Sequence, residues 1–194
     1  MGTLLEVIEV EYADEIPGES RFGSIAYRGA KWDVSHLSPF AFRADIGRAP
    51  VSHLIDVVVF FSCHCFTRSD SPLGTLASDY YRDGRETRVL CPARYELSKL
   101  FLPRLVKELA KRPIRVASSA PNFVTLEALD ALGRPGFYAV YFEVARDSRR
   151  KHRLLLRVQS AYLLDQLSRR QREAGKVNLG VLLRATYEGR AIKG

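Results

Sequence analysis

The sequence contains no long hydrophobic run, only one tryptophan and one methionine, and few cysteines. No stretch approaches the roughly 18 consecutive apolar residues that a membrane-spanning helix needs, so we expect no membrane segment. The first six residues lack the basic and then apolar order of a secretory signal peptide. These absences together predict a cytoplasmic protein.

Cysteine is too scarce, and its count of three is odd, for a disulfide framework in a chain of 194 residues. Two of the cysteines flank a histidine in the stretch Cys63-His64-Cys65. This stretch lacks the two-residue spacer of a zinc knuckle, and in an extended strand its thiols point away from the imidazole. We therefore predict free buried thiols, no metal site and no cofactor.

Positive charge is concentrated in the second half of the chain. Residues 1–97 hold 10 Lys and Arg against 14 Asp and Glu, a net of −4, whereas residues 98–194 hold 20 against 8, a net of +12. A basic half beside an acidic half predicts a polyanionic partner, for which we favour RNA. The alternative is a solvated basic surface that binds nothing.

Three consecutive segments between positions 122 and 165 alternate apolar and polar residues, which is typical of half-buried antiparallel strands. The predicted apolar face carries Val124, Leu126, Ala128, Val140, Phe142, Val144, Leu154, Leu156, Val158, Ser160 and Tyr162. If the strands pair in chain order, the exposed face carries Glu127, Tyr141, Glu143, Arg157 and Gln159. This meander is the element around which we expect the chain to be organised.

The other elements complete an α+β fold that is mainly antiparallel sheet. Residues 92–111 predict a helix that starts at Pro92, is kinked or split at Pro103, and packs on the meander. Residues 3–12 and 54–66 predict strands, the second covered on both faces, whereas residues 67–88 predict a long loop and residues 177–186 a final strand. We expect a β-rich part (1–90) and a helix-plus-sheet part (91–194), either separate or as one continuous domain.

The exposed face of the meander carries groups that suit metal-independent RNA cleavage. Such cleavage needs a base, an acid and a cation on the phosphorane. We assign the base to Glu143 or Glu127, the phosphate clamp to Arg157, and stacking or proton donation to Tyr141. His152, at a strand end, and His64, which shares a strand face with Asp56 and Ser62, are candidate acids. The alternatives are exposed cross-strand ion pairs and, for His64, a hydrogen-bonded core histidine.

Two basic clusters flank this face in the sequence. Successive connections of a meander lie at opposite ends of a sheet, so we expect the clusters to bracket the face and to bind a phosphate backbone. Two solvated loops are the alternative. The residues concerned are Arg146, Arg149, Arg150, Lys151 and Arg153 in the first cluster, and Arg169, Arg170, Arg172 and Lys176 in the second.

The order of helix, antiparallel meander, basic polar face and closing strand over residues 92–190 resembles the small RelE- and barnase-type ribonuclease fold of many toxins. The resemblance implies a metal-independent ribonuclease of the toxin or phage-defence type, with an antitoxin-like partner. Residues 1–90 would then be an attached β module that shields the site. Two other functions remain open, which are a non-catalytic module that binds nucleic acid or a ribonucleoprotein, and a structural or assembly protein.

Overall fold

A computed structural model describes residues 5–8, 22–48, 50–84, 86–117, 120–129 and 133–192. Within these ranges it shows three helices and thirteen strands. The helices are α1 (Pro92–Lys107), α2 (Arg169–Glu173) and α3 (Leu179–Glu188). The strands are β1 (Leu5–Ile8), β2 (Ile25–Tyr27), β3 (Ala30–Trp32), β4 (Phe40–Asp45), β5 (Leu54–Phe61), β6 (Thr67–Arg68), β7 (Tyr80–Asp83), β8 (Glu86–Leu90), β9 (Ile114–Ala117), β10 (Ala120–Leu129), β11 (Pro135–Arg146), β12 (Arg153–Leu164) and β13 (Gly175–Val177).

One eight-stranded sheet contains strands from both halves of the chain. Its order is β1-β4-β5-β12-β11-β10-β9-β13. The neighbours pair antiparallel except β5 and β12, which pair parallel from Asp56 opposite Arg153 to Phe61 opposite Val158. The α+β class and the antiparallel meander β10-β11-β12 are confirmed. The predicted first strand is seen over β1 only, and the rest of residues 3–12 lies outside the described ranges.

The two faces of the sheet have different environments. On one face, apolar side chains of the central strands form the main core with α1 and α3. Phe101 of α1 lies 5.6 Å from Tyr138 of β11, ring centroid to ring centroid, so α1 packs on the meander as predicted. The other face, here called the second face, is only partly solvated. Glu127 and Glu143 are exposed there, whereas Val58, Phe60 and Phe123 are buried.

A β-bulge in β12 corrects the predicted side-chain alternation. Tyr141 pairs with Ser160 but its neighbour Phe142 pairs with Val158, so Gln159 is an extra residue. Because one inserted residue reverses the sides of all later residues, Ser160 and Tyr162 lie on the second face and not on the predicted apolar face. Ala161 takes the core position instead and is fully buried.

Two other predicted elements are wrong. Residues 67–88 are not a long loop, since β6, β8 and β7 form a small antiparallel sheet there. The buried carboxylate of Asp79 fixes this sheet through an ion pair of 2.9 Å with Arg28. Residues 179–188 form the helix α3 and not a strand. The Asn178 side chain accepts a hydrogen bond from the Val181 amide at its start, and Gly189 ends it in the left-handed conformation.

The predicted helix and the predicted apolar strand differ from the structure in their extents. α1 continues through Pro103 to Lys107, and a separate 3-10 turn covers Leu109–Lys111. β5 ends at Phe61 and is followed by a 3-10 turn over Cys63–Cys65, which the sequence assigns to the strand. No described helix is long and apolar enough to cross a membrane.

The sheet core predicts a large cost for truncating its central leucine. Leu156 of β12 is fully buried, so Leu156→Ala should lower the free energy of unfolding by about 2–5 kcal/mol through lost burial and a cavity. Urea unfolding measures this change. Leu73→Ala, at a fully exposed leucine, is the matched control and should stay within about 0.5 kcal/mol of the unmodified protein. Equal effects of the two substitutions would contradict the described core.

Candidate functional site

The register of the meander brings three of the predicted site residues together. Glu143 of β11 is directly opposite Arg157 of β12, and Tyr141 lies two positions along on the same face. Glu127 is on that face too, opposite Phe137. However, Phe137 and Glu143 are six residues apart along β11, which is about 20 Å. Glu127 therefore cannot act on the same phosphate as Glu143 and Arg157.

Tyr141 is the middle ring of a cross-strand aromatic row. Its centroid lies 5.5 Å from that of Phe123 on β10 and 5.4 Å from that of Tyr162 on β12, with both pairs stacked. Its hydroxyl accepts a hydrogen bond of 2.7 Å from Gln171 Nε2. Because a neighbouring ring covers each face of Tyr141, a nucleic-acid base has no free face of this ring on which to stack.

His64 is positioned by the residue that forms the bulge. The Ser62 hydroxyl donates to the Gln159 carbonyl at 2.8 Å and accepts from the His64 amide at 3.0 Å. Ser62 thus starts the 3-10 turn that carries His64 away from the end of β5. This arrangement places His64 beside β12, next to the bulge residue Gln159. Gln159 is two positions after Arg157 on that strand.

The His64 imidazole belongs to a chain of side-chain contacts. Its Nε2 lies 3.0 Å from Glu86 Oε2, and the other oxygen of Glu86 accepts from Arg88 Nη1 at 2.6 Å. Arg88 is buried and also donates through Nε to the Thr67 hydroxyl. The hydrogen bonds from His64 and Arg88 lower the pKa of Glu86. The carboxylate therefore stays ionised and orients the half-exposed histidine.

Arg94 connects this histidine to the aromatic row. Its Nη1 donates to the carbonyls of Thr67 at 2.7 Å and His64 at 3.2 Å. Its Cζ atom lies 4.7 Å from the ring centroid of Tyr162, which is within the range of a cation–π contact. His64, Arg94 and Tyr162 consequently form one continuous surface across the end of β5.

His152 lies at the opposite end of β12. It is exposed in the β11–β12 connection, and its Nδ1 is 3.1 Å from the Tyr187 hydroxyl of α3. Seven residues of extended chain separate it from Gln159, a distance of about 23 Å. The two candidate acids, His64 and His152, therefore cannot serve one reaction centre.

The first basic cluster divides into structural and surface residues. Arg153 is buried and donates through Nε to Asp147 at 2.6 Å. Arg146 donates to the Thr186 and Tyr187 carbonyls and so binds the end of α3. Arg149 and Lys151 are exposed at the turn, and Arg150 is half-exposed. These three residues form the cationic part of the turn, while Arg146 and Arg153 hold it in place.

The second basic cluster crosses the second face and does not lie at one end of it. The segment that contains α2 connects β12 to β13, at the far edge of the sheet, and contacts Tyr141 through Gln171. Arg115 of β9 donates to the carbonyls of Gln171 and Arg172. Arg169 is paired with Glu173 at 2.8 Å, Arg172 donates to the Leu167 carbonyl, and Arg170 and Lys176 are exposed.

The three cysteines are free and buried, as predicted. Burial, assisted by Asp83, raises the pKa of the Cys63 thiol to about 12, and burial also raises the pKa of Cys65. Both thiols are therefore protonated near neutral pH and are poor nucleophiles. The described residues contain no group of three or more His, Cys, Asp or Glu side chains that could hold a metal ion.

Comparison with known proteins identifies the family. The family model described as YjaZ family matches residues 24–187, which run from β2 to the penultimate residue of α3 and include all the residues of the site. The chain belongs to the YjaZ family. No curated protein and no solved structure matches it significantly.

In this YjaZ-family chain, sequence reasoning missed Glu86 and Arg94, and it placed Ser62 on a strand face with His64 and not at the start of the 3-10 turn that carries His64. Glu86 and Arg88 alternate with Thr87 before an apolar pair, a strand pattern that the assignment of a loop to residues 67–88 obscured. Arg94 lies in the first turn of α1. The helical spacing of apolar residues that predicts α1 gives no information on the contacts of a charged residue. No local sequence signal shows that Ser62 binds Gln159, since 97 residues separate them.

The partly buried aromatic row predicts that the protein loses stability at alkaline pH. Burial and the hydrogen bond with Tyr162 raise the pKa of Tyr141, whereas an unfolded tyrosine titrates near pH 10. The pKa of Tyr141 is therefore higher in the folded protein than in the unfolded one. The stabilisation that comes from this difference is complete below about pH 10 and is lost as the pH rises above that value. Tyr141→Phe should flatten the fall of unfolding free energy between about pH 10 and 11.5.

Urea unfolding at several pH values tests this prediction. Tyr80→Phe, at an exposed tyrosine of β7, is the matched control. An identical alkaline slope for the Tyr141→Phe variant and the unmodified protein would contradict the described environment of Tyr141.

Proposed function

We propose that the chain is a nucleic-acid-directed protein and that metal-independent cleavage of RNA, of the toxin or phage-defence type, is its activity. The observation that carries the proposal is the orientation of His64 by an ionised Glu86. Arg94 contacts the His64 backbone, and β12, the strand that carries Arg157, lies beside it. An imidazole held by a carboxylate is the usual arrangement for acid–base work near neutral pH. The excess of Lys and Arg in residues 98–194 supports a polyanionic substrate.

The contacts of His64 assign a role to each nitrogen. Nε2 faces Glu86, so the neutral ring carries its proton on Nε2 and presents Nδ1 as the base. Nδ1 would accept the proton of an RNA 2′-hydroxyl as that oxygen attacks the adjacent phosphorus. The same proton would then pass to the departing 5′-oxygen. Arg157 would bind the phosphate and Glu143, opposite it, would keep its guanidinium in place.

RNA cleavage in the presence of EDTA tests the proposal. The purified protein should degrade a labelled single-stranded RNA, and His64→Gln should lower the rate by about 100-fold or more because the base is lost. Glu86→Gln should lower it less, since the ring remains but is no longer oriented. His152→Gln, at the far end of β12, is the matched control and should retain full activity.

Two outcomes would contradict this assignment. Equal losses of activity from His64→Gln and His152→Gln would remove the role given to His64. Complete absence of cleavage by the folded protein on single-stranded and structured RNA would exclude the enzyme and leave binding as the function.

The exposed turn between β11 and β12 favours a second candidate, a non-catalytic module that binds RNA or a ribonucleoprotein. Asp147 fixes this turn through the Arg149 amide at 2.9 Å and through Arg153, and Lys151 is exposed at its tip. A rigid cationic turn can contact phosphates without any chemistry.

Salt dependence of RNA binding tests the second candidate. Each phosphate contact contributes about 0.7 to the slope of log affinity against log salt for single strands. Lys151→Gln should therefore reduce that slope by about 0.7 in a filter-binding titration. Lys31→Gln, at an exposed lysine of β3, is the control. An unchanged slope for Lys151→Gln would show that the turn does not contact the nucleic acid.

A further inference from the structure

A cleft lies at the other end of β5 from His64. It has a volume of about 340 Å³ and lies between the β4–β5 connection and the end of α3. Its polar lining includes Arg48, His53, Arg184 and Glu188. A volume of this size suits a small metabolite.

The β4–β5 connection is a rigid wall of this cleft. The Asp45 carboxylate accepts hydrogen bonds from the amides of Gly47 and His53, both at 2.8 Å, and from the Ser52 hydroxyl at 2.7 Å. Gly47 is required at its position, because a Cβ atom there would lie 2.1 Å from the Val51 carbonyl oxygen. Gly47, Ser52 and His53 are thus held in place before any ligand binds.

Two guanidinium groups supply positive charge to the cleft. Arg184 of α3 donates through Nε and Nη2 to the carbonyls of Ile46 and Gly47, each at 2.5 Å. Its Nη1 makes no hydrogen bond to the described residues. Arg48 is exposed and has no ion pair within the described part of the chain. The carboxylate of Glu188, which also lines the cleft, forms an ion pair with Arg190 at 2.5 Å.

His53 adds a polar atom that no described residue satisfies. Its Nε2 is buried and has no hydrogen-bond partner among the described residues. The ring lies 4.8 Å from Tyr187 in an edge-to-face contact. Buried polar atoms are nearly always hydrogen-bonded, so an exception at the wall of a charged cleft indicates a ligand contact.

We propose that this cleft binds a small phosphomonoester that carries a flat ring. Two guanidiniums and an imidazole line the same cleft, and this combination suits the several oxygens of a phosphate better than a planar carboxylate. The exposed Val51 side chain and the Tyr187 ring supply the apolar wall for the ring of the ligand. This site is independent of His64 and of the proposed RNA cleavage.

Titration of the full chain with phenyl phosphate, followed through the histidine ring signals in NMR spectra, tests this inference. The chain has four histidines, so each ring is resolved separately. The His53 signals should shift and saturate with a dissociation constant of about 1 mM or lower. The His36 signals should not move. Benzoate should bind at least tenfold more weakly than phenyl phosphate.

Arg48→Gln is the informative substitution, because Arg184 also holds the loop and its loss would disturb the fold. Arg48→Gln should weaken phenyl phosphate binding about tenfold through the loss of one charged hydrogen bond. Arg82→Gln, at an exposed arginine of β7, is the matched control and should bind as the unmodified protein does.

Four results would overturn the inference. The first three are a His53 signal that does not saturate up to 10 mM ligand, equal weakening by Arg48→Gln and Arg82→Gln, and benzoate binding as tight as that of phenyl phosphate. A saturable shift of His64 alone would also overturn it, while leaving the proposed RNA cleavage intact. If the protein does not cleave RNA but the His53 signals show a saturable shift, the phosphomonoester site is supported and only the proposed RNA cleavage is contradicted.

Discussion

The hydrogen bond from the Ser62 hydroxyl to the Gln159 carbonyl is the contact on which the candidate site depends. Gln159 is the extra residue of β12, and its carbonyl is available because the parallel pairing with β5 ends at Phe61 opposite Val158. Ser62 uses that carbonyl and in turn holds the His64 amide. The same extra residue moves Tyr162 to the second face, where it meets Tyr141 and Arg94. One inserted residue therefore determines both the turn that carries His64 and the aromatic row beside it.

The site combines residues from both halves of the chain. The acidic half supplies His64, Glu86 and Arg94, while the basic half supplies Arg157 and Tyr162. The shared sheet makes this possible, since β5 of the first half pairs directly with β12 of the second. The residues matched by the YjaZ family model, 24–187, include every strand of the sheet except β1.

Local sequence patterns were sufficient for the meander and the first helix. Period-two alternation identified β10 to β12, and the apolar spacing after Pro92 identified α1, because each pattern reflects contacts with one core face. The bulge at Gln159 could not be predicted, since the alternation along β12 reads unbroken through Gln159 and the Ser62 side chain that binds this residue is 97 positions away. The β-branched content of residues 177–186 favours a strand, although Asn178 and Gly189 carry the signals of a helix start and a helix end. Of the site, Arg157 and Glu143 follow from alternation, whereas the pairing of His64 with Glu86 depends on the small sheet β6-β8-β7.

Nuclear Overhauser effects from the Tyr162 ring test the account most directly. The bulge places this ring on the second face, 5.4 Å from the Tyr141 ring by centroid distance. We expect cross-peaks between the ring protons of Tyr162 and Tyr141, and none between Tyr162 and the core leucines Leu102 and Leu105 of α1. Cross-peaks from Tyr162 to those leucines, as uninterrupted alternation along β12 requires, would contradict the bulge and with it the position of His64.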